Sequence, residues 1–163
     1  RSNIAPLLYN KEEVQMIFHE LEGSKDTLCG MNASKKNFQK MASDYRILHV
    51  ASHVILNDEF SDLSFIAFSG AGSNDLNAQL SNREIYELRL NADMVVLSAC
   101  STNRGRIQKG EGTLSISRGF VTAGAKSVIT TNWKIIDKAT PKLMEYFYKN
   151  LVDVNECVCN DYI

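Results

Sequence analysis

An excess of charge of either sign is missing from this sequence: 18 Lys and Arg stand against 19 Asp and Glu, a formal net charge of -1. A chain without a basic footprint is not built to hold a polyanion, so nucleic acid is not an expected partner of this domain. Also missing are an apolar run near 18 residues and a basic leader followed by an apolar segment, so neither a membrane span nor a signal peptide is expected. The GEG triplet at Gly110–Gly112 lacks the Lys-Ser/Thr pair of a phosphate-binding loop, which removes a nucleotide-binding reading. Cysteine is scarce, at Cys29, Cys100, Cys157 and Cys159. The C-x-C pair at 157 and 159 has no second pair and no neighbouring His, so no metal and no cofactor are expected. A reduced, cytoplasmic setting is the default for such a chain. No internal repeat or low-complexity segment is present.

What is there suits one globular unit. At 163 residues, 44% hydrophobic and 23% charged, the chain is long enough to bury a core without staples. A single domain over residues 1–163 is expected. It is read as a piece of a longer protein because it opens at "RSNIAPLL" without an initiator Met. Val14, Ile17, Phe18 and Leu21 recur at helical spacing, with His19 off that stripe as a surface residue. "DTLCG" reads as a short strand, and "NASKKNFQKMAS" as a helix capped by Ser34 or Asn32. "YRILHVA" and "LSFIAFS" read as strands, Asn82 to Leu88 as a helix, and "DMVVLSA" as a strand buried on both faces of a parallel sheet. A helix ending at Gly124, a buried strand "KSVITTN", and a helix over "PKLMEYFYKNL" with Pro141 in its first turn complete the series. Strands alternating with helices predict an α/β layered domain with a mostly parallel central sheet.

In such a sheet, ligands and catalytic groups gather beyond the carboxyl ends of the strands. His53 follows one predicted strand and Cys100 another. If those strands are neighbours, the two side chains share one cleft. A thiol needs thiolate character to attack a carbonyl, and an imidazole in hydrogen-bond reach supplies it. The interval, 100 minus 53 or 47 residues, is close to the roughly 50-residue His-to-Cys interval of caspase-type enzymes. His49 competes for the role, but it lies inside the strand and reads as a packed histidine.

These residues also carry a resemblance. H-x-A-S-H over His49–His53, L-S-A-C ending at Cys100, G-E-G, A-G-A over Ala123–Ala125, "NWKIID" and the F-Y helix occur in one order. That order resembles CHAT domains, caspase-like cysteine peptidase domains related to separase and commonly attached to tetratricopeptide repeats. The resemblance implies a caspase-like sandwich of helices around a mostly parallel sheet, with His53 as catalytic histidine and Cys100 as nucleophile. It implies an oxyanion site from the backbone N–H groups of Val54 and Cys100, and no metal. Asn132, Trp133 and Asp137 would line the pocket for the residue before the scissile bond, and a carboxylate there favours Arg or Lys. Asp137 has an alternative as a helix cap, and Trp133 as a core residue.

The chain departs from the family where Val54 replaces a common Gly and where residues 152–163 form an atypical tail. The function expected is hydrolysis of peptide bonds in a protein or peptide substrate, with an activating partner or repeat domain in control. The alternative is a catalytically inactive caspase-like interaction module.

Overall fold

The computed structural model describes residues 7–57, 60–70, 75–98, 111–130 and 137–158. In chain order the helices are α1 (Asn10–Glu20), α2 (Lys35–Met41), α3 (Asn82–Tyr86), α4 (Glu111–Thr122) and α5 (Thr140–Val158). The strands are β1 (Ile47–Val50), β2 (Val54–Ile55), β3 (Phe65–Ala67), β4 (Gln79–Ser81), β5 (Met94–Leu97) and β6 (Ser127–Thr130). Two compact units divide the chain, one built on Leu28–Lys134 and the other on Leu7–Thr27 with Ile135–Ile163.

The first unit holds a parallel sheet in the order β1-β5-β6 and an antiparallel sheet in the order β2-β3-β4. The expected α/β class with a parallel sheet and flanking helices is borne out. β5 is central because its sequence permits nothing else: Met94, Val95, Val96 and Leu97 are all buried, so both faces of the strand are covered. One face belongs to a core of Leu48, Val50, Val95 and Leu97 with Phe38 of α2, Ile85 of α3, and Ile116 and Phe120 of α4. Removing such a side chain from water contributes about 1.5–3 kcal/mol. Val54, Ile66 and Leu80, one from each antiparallel strand, join the same core.

Several expectations shift in detail. "DTLCG" forms no strand: Cys29 is extended, but the chain then turns through a 3-10 segment at Gly30–Asn32 and finds no ladder partner. β6 is an edge strand, with Ser127 exposed and Val128, Ile129 and Thr130 half-buried, because β5 pairs only one of its sides. α3 stops at Tyr86, short of the expected Leu88. α5 runs on through Val158, past the expected end at Leu151 and into the segment read as an atypical tail.

The helix starts have chemical causes. Ser34 caps α2 by accepting from Asn37 N at 3.2 Å. Ser81 and Glu84 form a reciprocal capping box at α3, and Lys35 Nζ reaches Glu84 Oε1 at 2.7 Å and the carbonyls of Leu76 and Gln79 at 2.8 and 3.0 Å. Burial draws the Glu84 carboxyl upward, but the hydrogen bonds from Lys35 and Ser81 together outweigh it and hold the group below its ordinary value.

The A-G-A motif is a packing device. Gly124 has φ +115°, and a Cβ there would lie 2.3 Å from the Leu90 carbonyl oxygen. Only glycine lets the chain leave α4 under the segment entering β5, where Leu90 N donates to Ala123 O at 2.7 Å.

In the second unit α1 packs against α5. Ile17 and Glu13 of α1 are buried, as are Met144 and Tyr148 of α5, while His19 is exposed as expected. Burial, and then the Glu13 carboxylate, pushes the Tyr148 phenol well above its ordinary value. Lys25 Nζ closes the end of α1 by donating to the carbonyls of Phe18 and Leu21 at 2.5 and 2.7 Å. No helix among the described residues is long and apolar enough to cross a membrane.

Candidate active site

The two strands that should present the proposed dyad are neighbours. β1 and β5 pair in parallel, with His49 opposite Val96 and Val50 opposite Leu97. That last rung lies at the carboxyl edge of the sheet, which is also where β6 ends, at Thr130 beside Leu97.

His53 stands beyond this edge, where the chain passes from the parallel sheet into the antiparallel one. Two intervening residues, Ala51 and Ser52, separate it from β1, and β2 starts directly after it. Its position is fixed by Ala67 of β3: Ala67 N donates to His53 O at 2.9 Å, and Ser52 Oγ donates to Ala67 O. His53 is half-buried, and its Nδ1 lies on the buried side. His49 is half-buried within β1, in the strand interior as expected.

Val54 is buried in β2 opposite Ile66. In an antiparallel pair, facing residues alternate between hydrogen-bonded and non-bonded rungs. The bond from Ala67 N to His53 O makes the His53–Ala67 rung a bonded one, so Val54–Ile66 is the next, non-bonded rung. The Val54 N–H therefore points away from β3. Because β2 is the outer strand of its sheet, that N–H faces the open edge next to His53. A strand conformation suits a β-branched residue, so nothing at this position calls for glycine's positive φ.

Ser98 follows β5 directly, is 6% exposed, and carries a buried Oγ with no hydrogen-bond partner among the described residues. The sequence reading passed over it as part of an apolar strand. Its signal was visible as a hydroxyl in an otherwise unbroken apolar run.

Cys100, Asn132 and Trp133 lie outside the described residues. Asp137 opens the 3-10 turn Asp137–Ala139 that leads into α5, in the second unit. Among the described residues no group of three or more His, Cys, Asp and Glu is placed to hold a metal ion. Cys29 is a free, exposed thiol.

A family model described as the CHAT domain matches residues 2–156. This chain belongs to the CHAT domain family. A curated relative, "Tetratricopeptide repeat protein 28" of Mus musculus, is 30% identical over 74 residues, which is 45% of this chain and 3% of that protein. The chain thus spans a small fraction of that relative's length. Of the candidate site, the described parts are the His53 turn, the outward Val54 N–H and the carboxyl end of β5.

Proposed function

We propose that this CHAT domain is a cysteine endopeptidase in which His53 and Cys100 form the catalytic dyad. The observation that carries the reading is the rung shared by Val50 and Leu97: His53 lies three residues past the first (50 to 53) and Cys100 three past the second (97 to 100). Strands that end on one rung of a parallel pair lead the chain to the same rim, where ligand sites of such sheets form, and this supports a dyad of His53 with Cys100 there.

In the proposed reaction the Cys100 thiol gives its proton to His53, and the sulfur attacks the scissile carbonyl carbon. The developing oxyanion takes hydrogen bonds from the backbone N–H groups of Val54 and Cys100, a role that the outward direction of the Val54 N–H supports. His53 then protonates the leaving amine, and water, deprotonated by the same imidazole, releases the acid from the thioester. Asp137 with Asn132 and Trp133 would form the wall that selects Arg or Lys before the cut. The substrate is a protein or peptide. Control by a repeat domain or another partner, in a reducing cytoplasmic setting, fits the tetratricopeptide-repeat name of the relative.

The test is incubation of the longer protein containing this domain with a positional peptide library, beside Cys100→Ala. Cleavage after Arg or Lys that disappears in Cys100→Ala is expected. Cleavage that persists in the variant rules out the dyad. Absence of cleavage with every candidate partner present would instead identify a caspase-like interaction module.

A further inference from the structure

We propose that the turn after β2, which carries Phe60 and Leu63, is a docking site for a partner segment in which a large apolar side chain stands among Lys and Arg residues. The inference goes beyond the peptidase reading and does not need it, since an interaction module would use the same surface.

The turn holds two apolar side chains in water. Phe60 and Leu63 are 62% and 60% exposed, although the antiparallel sheet beside them buries Val54, Ile66 and Leu80. They meet in one 3-10 turn, Ser61–Leu63, which Leu63 N closes by donating to Phe60 O at 2.9 Å. Side chains three apart eclipse in such a turn, so the phenyl ring and the leucine share one face. Hydrogen bonds fix the turn from both ends: Phe60 N donates to Asn57 Oδ1 at 2.8 Å, Asn57 N to Ser64 Oγ at 3.0 Å, and Asn82 N, at the start of α3, to Ser64 O at 2.9 Å. Ser64 is fully buried, and the turn packs against α3 and α4. A lone exposed apolar residue is ordinary, but a pair presented on a hydrogen-bonded platform has already lost the backbone freedom that binding would otherwise cost.

Charge and size identify the occupant. From Val54 to Ser81, the antiparallel sheet with its connections, the sequence carries Asp58, Glu59, Asp62 and Asp75 and no Lys, Arg or His. All 18 Lys and Arg of the chain lie outside that stretch. Asp62, between the two apolar residues in the turn, is exposed. Lys35, which reaches this sheet from α2, is held by Glu84 and by the carbonyls of Leu76 and Gln79. An apolar pair in an acidic stretch complements a segment that is both apolar and basic, and such complementarity selects partners and speeds their encounter. A stable dimer takes about 800 Å² from each copy, far more than two side chains on one turn supply, so the occupant is a peptide segment rather than a second copy of this chain.

The experiment is fluorescence anisotropy of short dye-labelled peptides titrated with the longer protein, in a Cys100→Ala background so that cleavage cannot consume them. The peptides carry Phe among Lys and Ser, Ser in place of that Phe, or Phe among Glu and Ser. The first is expected to bind, and each of the others about tenfold more weakly or worse. Phe60→Ala combined with Leu63→Ala should weaken the first peptide's binding roughly tenfold or more, with the melting temperature held because both side chains are exposed. Asp62→Lys should narrow the preference for the Lys peptide over the Glu peptide by about tenfold at low salt, an effect lost near 1 M salt. Failure of the first peptide to bind overturns the inference. So does binding that the double substitution leaves unchanged, since the peptide then sits elsewhere, and so does equal binding of all the peptides. Where the double variant also melts lower, Asp62→Lys decides: a narrowed preference upholds the site and an unchanged one overturns it. Binding is read without turnover, so docking in a protein that cleaves no peptide upholds this surface while the peptidase reading fails, and cleavage without docking does the reverse.

Discussion

The two ends of the parallel sheet are built on opposite rules. At the amino end, Arg46 precedes β1, Asp93 precedes β5 and Lys126 precedes β6, and the three side chains meet: Asp93 pairs with Arg46 and, at 2.7 Å, with Lys126. The backbone is joined there as well, Asp93 N donating to Arg46 O at 2.7 Å, Lys126 N to Ala92 O at 3.0 Å, and Ser127 Oγ to Asp93 O at 2.8 Å. At the carboxyl end, Ser98 Oγ is buried with no partner among the described residues, and the Val54 N–H faces outward. One end closes the three strands together; the other leaves hydrogen-bonding groups without a described partner, and it is the end to which the proposed chemistry is assigned. The four apolar residues of β5 divide the two ends.

The sharpest way to break that separation is His53→Ala at the carboxyl end. If His53 is the general acid and base proposed above, its removal lowers turnover by about 10²–10⁴-fold. Because the bonds of the His53 carbonyl to Ala67 N and of Ser52 Oγ to Ala67 O survive the substitution, the melting temperature should change less than turnover. Peptide cleavage and calorimetry on the same preparation check both halves. A large loss of stability would show that the carboxyl end is structural too.

Gly124→Ala tests the amino end with the opposite expectation. The added Cβ meets the Leu90 carbonyl oxygen at 2.3 Å, and the φ of +115° is itself unfavourable for alanine. Together these are expected to cost about 3 kcal/mol, in the range of strained and overpacked sites. Urea unfolding measures the loss. The pH profile of Cys100 alkylation below the transition should be unchanged, since Gly124 lies at the other end of the sheet. Gly119→Ala offers a milder companion, because its Cβ would meet Asn82 Oδ1 at 2.8 Å and Ile85 Cγ2 at 3.0 Å.

How much of this was legible beforehand follows from which signals are local. β5 was readable because a short apolar run with two valines at its centre reads as a strand covered on both faces, and α1 because Val14, Ile17, Phe18 and Leu21 recur with helical period. The capping box at Ser81 and Glu84 was equally local and could have been found from its S-x-x-E spacing. Of the antiparallel sheet only β3, within "LSFIAFS", was readable. Val54–Ile55 is two residues long, and Gln79–Ser81 surrounds its one fully buried residue, Leu80, with polar neighbours, so neither has a period to detect.

The candidate site shows the same division. His53 and Cys100 stood out as reactive types beyond apolar runs, and His53 does lie past β1 at the carboxyl edge. The direction of the Val54 N–H depends on which rungs of a distant pairing are bonded, and a single sequence does not encode that register locally. Ser98 needed burial to become visible, since the same residue in an exposed turn would be ordinary.

The smallest effect expected is at the amino end itself, with Asp93→Asn. The hydrogen bond from Lys126, and then that from Arg46, holds the Asp93 carboxyl below its ordinary value. A carboxylate whose folded pKa is depressed binds protons less readily in the native state than in the unfolded one. Its stabilising contribution is therefore fully present above the ordinary carboxylate range, and it is lost as pH falls through that range toward the lower folded value. Melting temperatures of wild type and Asp93→Asn should differ slightly near neutrality and converge in acid. Because Arg46 and Lys126 are both well exposed, 1 M salt, where the screening length is about 3 Å, should shrink the neutral difference as well. Melting temperatures that agree even near neutrality at low salt would mean that the backbone bonds around Asp93, rather than its charge, join the three strands. The contrast between the two ends would then rest on main-chain pairing alone.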